Sequence, residues 1–202
     1  MMPRVLSHDA PETVIALHAA LETGQTIIFP TDTIYGIGGN PWDARCIERV
    51  RLLKHRRADQ PFAVLLPSSA AIDRFAALDV RARRWVDRLF PGPYTLLLPA
   101  APDAPAATTR DGTIGVRVPA HPFFQRTLAV LDRPLFGTSV NRHGEPPLVD
   151  VDEIIDRFAA VDLIVTGPTA ATASTIVDLT EIPACVVRGD LADPICSLLE
   201  QE

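Results

Sequence analysis

The chain has 202 residues, 47% of them hydrophobic, and a formal charge of −6, which allows one sizeable core and argues against a surface that coats duplex nucleic acid, where a basic excess supplies the affinity. No apolar run reaches the roughly eighteen residues of a membrane span. The first nine residues lack the apolar stretch and cleavage site of a secretory signal, so a cytoplasmic protein without membrane contact is expected.

Taken in chain order, Val14, Leu17 and Leu21 predict a helix over 11–22 that Gly24 stops. The β-branched and aromatic run 26–29 predicts a strand ended by Pro30. Asp43 can N-cap a helix running through Lys54, with Cys46 or Ile47, Val50 and Leu53 on its apolar stripe. Residues 62–66, between two prolines, read as a buried strand, and helical stretches follow near 70–77 and 80–89. Pro91-Gly92-Pro93 leads into a strand over 94–98, the aperiodic 100–111 is a surface loop, and 113–118 is a strand. A helix over 123–131, a strand over 135–138 and a helix over 151–158 capped by Asp150 come next. Strands at 163–165, 175–179 and 185–187 and a weakly helical tail from Pro194 complete the chain. Strands alternating with helices, with neither repeat nor linker, predict a single α/β domain over 1–202 with a largely buried sheet.

Several common chemistries are excluded. Gly36-Ile37-Gly38-Gly39-Asn40-Pro41 begins like a dinucleotide fingerprint, but Pro41 stands where the third glycine belongs and no helix opens there. No phosphate-binding GxxxxGK[ST] loop occurs, and Ser139 lacks the second glycine of a nucleophile elbow. Cys46, Cys185 and Cys196 are odd in number and far apart, and the histidines show no zinc-ligand spacing, so neither a disulfide framework nor a metal site is expected.

Three polar clusters remain. Lys54, the sole lysine, opens Lys54-His55-Arg56-Arg57 at a predicted helix end; such a cluster complements the helix dipole with or without a ligand. Thr138-Ser139-Val140-Asn141 follows an apolar strand and is equally at home in an ordinary turn. Thr31-Asp32-Thr33 lies in a turn where local side-chain-to-backbone bonds are common. Arg117, between Val116 and Val118 in a buried-looking strand, needs an anionic partner, either Asp/Glu or a ligand carboxylate or phosphate.

The order of these pieces resembles the YrdC-like family of L-threonylcarbamoyladenylate synthases over nearly the whole chain. Phe29-Pro30-Thr31-Asp32-Thr33-Ile34-Tyr35-Gly36 is followed by Leu53-Lys54-His55-Arg56, Phe90-Pro91-Gly92-Pro93 and Gly115-Val116-Arg117-Val118-Pro119. Then come Thr138-Ser139-Val140-Asn141, Ser174-Thr175-Ile176-Val177-Asp178 and Arg188-Gly189. The resemblance implies a twisted open α/β sandwich with a mixed sheet and a large concave basic cavity. It implies condensation of L-threonine, bicarbonate and ATP, with Mg2+, to threonylcarbamoyl-AMP and pyrophosphate. Hand-over to a tRNA threonylcarbamoyl transferase acting at adenosine 37, and weak RNA binding, are further implications. Lys54, Arg56, Ser139 and Asn141 are the implied catalytic residues; Thr33, Tyr35, Arg117, Thr138, Ser174 and Arg188 are the implied substrate-binding ones. The chain departs from the family pattern at His55, Gln60, Leu65, Tyr94, Val140 and Ala173, and its length corresponds to the short, single-domain form. Two other readings stay open at this point: a non-catalytic nucleotide- or RNA-binding module, and an enzyme that adenylates a different acid.

Overall fold

A computed structural model describes residues 2–190 and 193–200. In its first half the chain forms β1 (Arg4–Ser7), α1 (Glu12–Glu22), β2 (Ile27–Phe29), β3 (Gly36–Gly39), α2 (Ala44–Lys54), β4 (Ala63–Leu65), α3 (Val80–Leu89) and β5 (Tyr94–Pro99). There follow β6 (Thr109–Arg110), β7 (Thr113–Arg117), α4 (Ala129–Leu131), β8 (Leu135–Ser139), α5 (Val151–Arg157), β9 (Leu163–Thr166), β10 (Thr175–Asp178), β11 (Cys185–Arg188) and α6 (Asp193–Leu199). All eleven strands join one mixed sheet in the order β1-β9-β2-β3-β8-β4-β7-β5-β10-β11, with β6 paired to β7.

The expected alternation is present, with four differences. β1, a parallel partner of β9, and β3 have no counterpart among the predicted strands. The expected helix over 70–77 is a 3-10 turn, Ser69–Arg74, and most of that over 123–131 is a π-helix, Phe123–Leu128, running into α4. The surface loop contains the short 3-10 turn Ala106–Thr108 and β6. β3 escapes a propensity reading because three of its four residues are glycine, which lacks a side chain to pack. Close approach requires those glycines: a Cβ on Gly38 would lie 1.7 Å from the carbonyl oxygen of Phe136 on the antiparallel neighbour β8.

The period-2 alternation of the strands decides where the cavity forms. On one face of the β4-β7-β5-β10 section, Val64, Ile114, Val116, Leu96, Leu98 and Val177 pack against Trp85 and Val86 of α3 and against the 3-10 turn at 69–74. At the other end of the sheet, Ile28, Ile37, Phe136 and Ile164 pack with residues of α2 and α5, while Ile27, Phe29, Leu163 and Val165 pack with α1 and the π-helix on the reverse side. On the faces of β7 and β5 turned away from α3, Gly115, Arg117, Thr95 and Leu97 line a cavity. That face mixes the polar Arg117 and Thr95 with the apolar Leu65, Leu97 and Ile176.

Gly38→Ala is expected to cost about 3 kcal/mol or more, since the clash is with backbone. Gly115→Ala, whose Cβ would meet nothing closer than 3.5 Å, should change stability by less than about 1 kcal/mol. Thermal denaturation of both variants checks this; equal melting temperatures would contradict the close β3-β8 packing.

Candidate functional site

The site begins at the end of α2. Asp43 caps its N-terminus by accepting from the Cys46 N–H at 2.9 Å. At the other end His55 adopts the left-handed conformation with φ 51°, and the N–H groups of His55 and Arg56 bond back to Leu52 and Arg51 carbonyls at 3.2 and 2.9 Å. Glycine usually fills such a position; His55 holds it here. That reversal sends Arg56 back towards the sheet.

Lys54 is buried, at 2% exposure. Its Nζ donates to the Ser139 carbonyl, to the Asn141 carbonyl at 2.7 Å and to Asn141 Oδ1 at 3.0 Å. The N–H of His143 returns a bond of 2.8 Å to the Lys54 carbonyl. Asn141 Oδ1 also accepts from Ser139 Oγ at 2.5 Å, and Asn141 Nδ2 donates to the carbonyls of Arg142 and Glu145. The four residues singled out as catalytic therefore converge, but unequally. Arg56 and Ser139 line the cavity, whereas Lys54 and Asn141 stand behind its wall and fix the turn that carries Ser139.

The cavity encloses about 370 Å³, within the usual range for small-molecule sites. Its lining includes Arg56, Arg117 and Arg188 and no Asp or Glu. Arg56 lies over the Phe62 ring, 5.0 Å from its centroid, and donates to the Pro61 carbonyl at 2.8 Å and to Thr138 Oγ1 at 3.4 Å. Arg117 pairs with Asp32 and donates to Thr33 Oγ1 at 2.6 Å. Arg188 donates to the carbonyl and hydroxyl of Ser174 at 3.0 and 3.2 Å, and Ser174 Oγ lies 3.1 Å from Thr95 Oγ1. Tyr35 Oη donates to the Gly167 carbonyl at 2.6 Å and accepts from its N–H at 3.0 Å.

Burial is the largest influence on all three guanidiniums and weighs against their charge. Arg117 has a carboxylate beside it; Arg56 and Arg188 have only carbonyl and hydroxyl oxygens among the described residues. Desolvated cations without counter-charge favour an anionic ligand. Asp32 is the residue that sequence reasoning passed over: it lay within the quoted turn, but nothing local linked it to Arg117, 85 positions away. Of the family departures, Leu65 and Ala173 line the cavity, and the buried Gln60 Oε1 has no hydrogen-bond partner among the described residues.

Burial, with Arg56 adding to it, pushes the Lys54 ammonium down from 10.5 to about 7. The unfolded chain then holds more protons than the folded one between those values, so this group makes stability rise with pH above about 7. Burial raises the Cys46 thiol to about 12, which opposes the trend only above its unfolded value of 9.0. Between pH 7 and 9 the unfolding free energy of the protein should therefore climb more steeply than that of Lys54→Met. Parallel denaturant curves across that interval would place Lys54 outside the buried shell.

Comparison with known proteins adds a lineage to this geometry. The Sua5/YciO/YrdC family model, described as telomere recombination, matches residues 19–189. Threonylcarbamoyl-AMP synthase of Pyrococcus abyssi is 30% identical over 83% of the chain, but the chain spans only 51% of that relative. Threonylcarbamoyl-AMP synthase of Coxiella burnetii is 30% identical over 75% of the chain, and 83% of it is covered. The crystal structure of P. abyssi Sua5 complexed with L-threonine superposes with a TM-score of 0.83 at 29% identity, covering 93% of this chain and 57% of that one. The interlocked helix end, the Ser139 turn and the arginine-lined cavity are thus found in a chain that belongs to the Sua5/YciO/YrdC family.

Proposed function

We propose that the chain condenses L-threonine, bicarbonate and ATP into threonylcarbamoyl-AMP and pyrophosphate. The observation that carries this reading is the gathering of Arg56, Arg117 and Arg188, all desolvated, around one cavity whose rim holds Ser139. Joining a carboxylate to a triphosphate brings like charges together, and fixed cations lower that barrier. The names of the relatives, a threonylcarbamoyl-AMP synthase and a Sua5 complexed with L-threonine, agree with that chemistry.

Threonine's amino group takes the one-carbon unit of bicarbonate, releasing water and leaving a carbamate. A carbamate oxygen then attacks the α-phosphorus; the bond to the β-phosphate oxygen breaks, and pyrophosphate leaves with the electron pair. Arg56 offsets negative charge on the phosphates from its seat over Phe62. Ser139 and Thr138 bond the nucleotide from the turn that Lys54 and Asn141 hold in place, keeping the α-phosphate in line. Arg117 takes the threonine carboxylate, with the Thr33 hydroxyl fixing the guanidinium plane. Magnesium would be part of the substrate, carried by the nucleotide as MgATP.

The adenylate passes to a tRNA threonylcarbamoyl transferase that modifies adenosine 37. A cytoplasmic location suits that role, and among the described residues no helix is long and apolar enough to cross a membrane.

Pyrophosphate release from MgATP should require both L-threonine and bicarbonate. Equal release with either omitted would overturn the assignment. Arg56→Ala is expected to lower kcat about a hundredfold, the scale of losing one transition-state donor; steady-state kinetics at saturating threonine measures it, and a kcat within twofold of the parent would remove Arg56 from the mechanism.

A further inference from the structure

The chain leaves β9 at Thr166 and enters β10 at Thr175. In the sheet order these strands stand second and ninth, seven spacings apart. Across a flat sheet that separation is about 34 Å. Fully extended backbone from 166 to 175 reaches only roughly 30–32 Å, and Ala171, at φ 60°, shortens it further. The connection is therefore possible only because the sheet curls, and it crosses as a chord on the concave side. Ala173 and Ser174, near its far end, line the cavity.

Side chains fasten both ends of this chord. At the start, Tyr35 Oη bonds both backbone groups of Gly167 at 2.6 and 3.0 Å. His121 Nδ1 accepts the Phe123 N–H at 3.1 Å, which leaves Nε2 to donate to the Pro168 carbonyl at 3.1 Å. At the finish, Arg188 grips Ser174 through its carbonyl and hydroxyl. Between the fastenings, the backbone N–H groups of residues 169–173 have no partner among the described residues. A segment tied at its ends and free in its middle is held by its anchors and its length.

We infer that 167–174 is a strap drawn across the cavity, fastened at its start by Tyr35 and His121 and at its finish by Arg188, and that Tyr35 is a positioning residue that keeps it taut and acts on the substrates through it. The strap narrows access from the concave side and limits entry of water. Its kinetic consequence rests on the synthase reading, because a carbamoyl-phosphate anhydride is open to hydrolysis; its geometry does not. Water attacking the carbamoyl carbon would break the bond to the phosphate oxygen, release AMP, and return threonine and bicarbonate after decarboxylation and hydration.

Hydrogen-deuterium exchange of the peptide covering 166–176, measured with and without MgATP, L-threonine and bicarbonate, tests the strap directly. Two variants loosen it differently: Tyr35→Phe removes only the hydroxyl, and inserting two glycines between Ala171 and Thr172 adds slack without touching an anchor. Losing one or two hydrogen bonds should speed exchange at the bonded amides of that peptide, Gly167 and Thr175, about tenfold in Tyr35→Phe, and the insertion should match it. In both variants KM for threonine should rise more than kcat falls, and less adenylate should be recovered per pyrophosphate. Parental exchange in both variants, or an unchanged KM and adenylate yield in both, would overturn the proposal. Faster exchange in a protein whose parent shows no threonine-dependent pyrophosphate release would uphold the strap and refute the synthase reading.

Discussion

The arrangement depends on one buried amino group, that of Lys54. Lys54 Nζ sits among the carbonyls of Ser139 and Asn141 and the side-chain oxygen of Asn141, and the loop answers by capping the Lys54 carbonyl through His143. A polar group taken out of water is tolerated only when its hydrogen bonds are satisfied, so the lysine dictates the path of 139–141. Two elements distant in sequence become one unit, in which a helix end specifies a turn and the turn presents Ser139. The helix dipole, which also favours a cation at this end, is a secondary contribution, because three specific acceptors already define the geometry.

From that corner the cavity extends along the sheet by alternation. In the β4-β7-β5-β10 section, alternation turns Val64, Val116, Leu96 and Val177 towards α3 and Leu65, Arg117, Leu97 and Ile176 towards the opposite face. The net charge of −6 is therefore compatible with a site that selects anions. Acidic residues occupy the outside, as in Arg83–Asp73 and Arg133–Glu22, while the inward lining carries arginine alone among charged types. Arg117 and Asp32 are the exception in kind, a buried pair placed beside the cavity with one Asp32 oxygen lacking a partner among the described residues. Replacing such pairs with apolar residues is often neutral for stability, which fits a pair retained to hold a guanidinium in one orientation.

Much of this was legible in the sequence because it is local. Asp43 and Asp150 cap the helices they precede, and the proline-bounded apolar runs become buried strands. The clusters at 54–57 and 138–141 were recognisable as parts of one site only through their resemblance to a family; nothing in their spacing of about eighty residues says that they touch. What escaped reading is non-local. β3 is a strand because its glycines let β8 approach, not because its residues favour one. Asp32 meets Arg117 across the sheet. Tyr35 and Arg188 line the cavity and also bond the backbone of 167 and 174, contacts that no local pattern carries. The π-helical form of 123–128 keeps the apolar stripe of the predicted helix, burying Phe123, Phe124 and Leu128, so periodicity found the element and missed its hydrogen bonding.

The central claim is that one curled face of the sheet, bounded by Arg56 and Ser139 at one end and Arg117 at the other, holds a nucleotide and an amino acid together. A crystal structure grown with L-threonine and a non-hydrolysable ATP analogue tests it most directly. The account predicts phosphates against Arg56 and Ser139, the threonine carboxylate on Arg117, and the segment 167–174 lying over both. A nucleotide bound outside this cavity, or threonine contacting neither Arg117 nor Thr33, would contradict it.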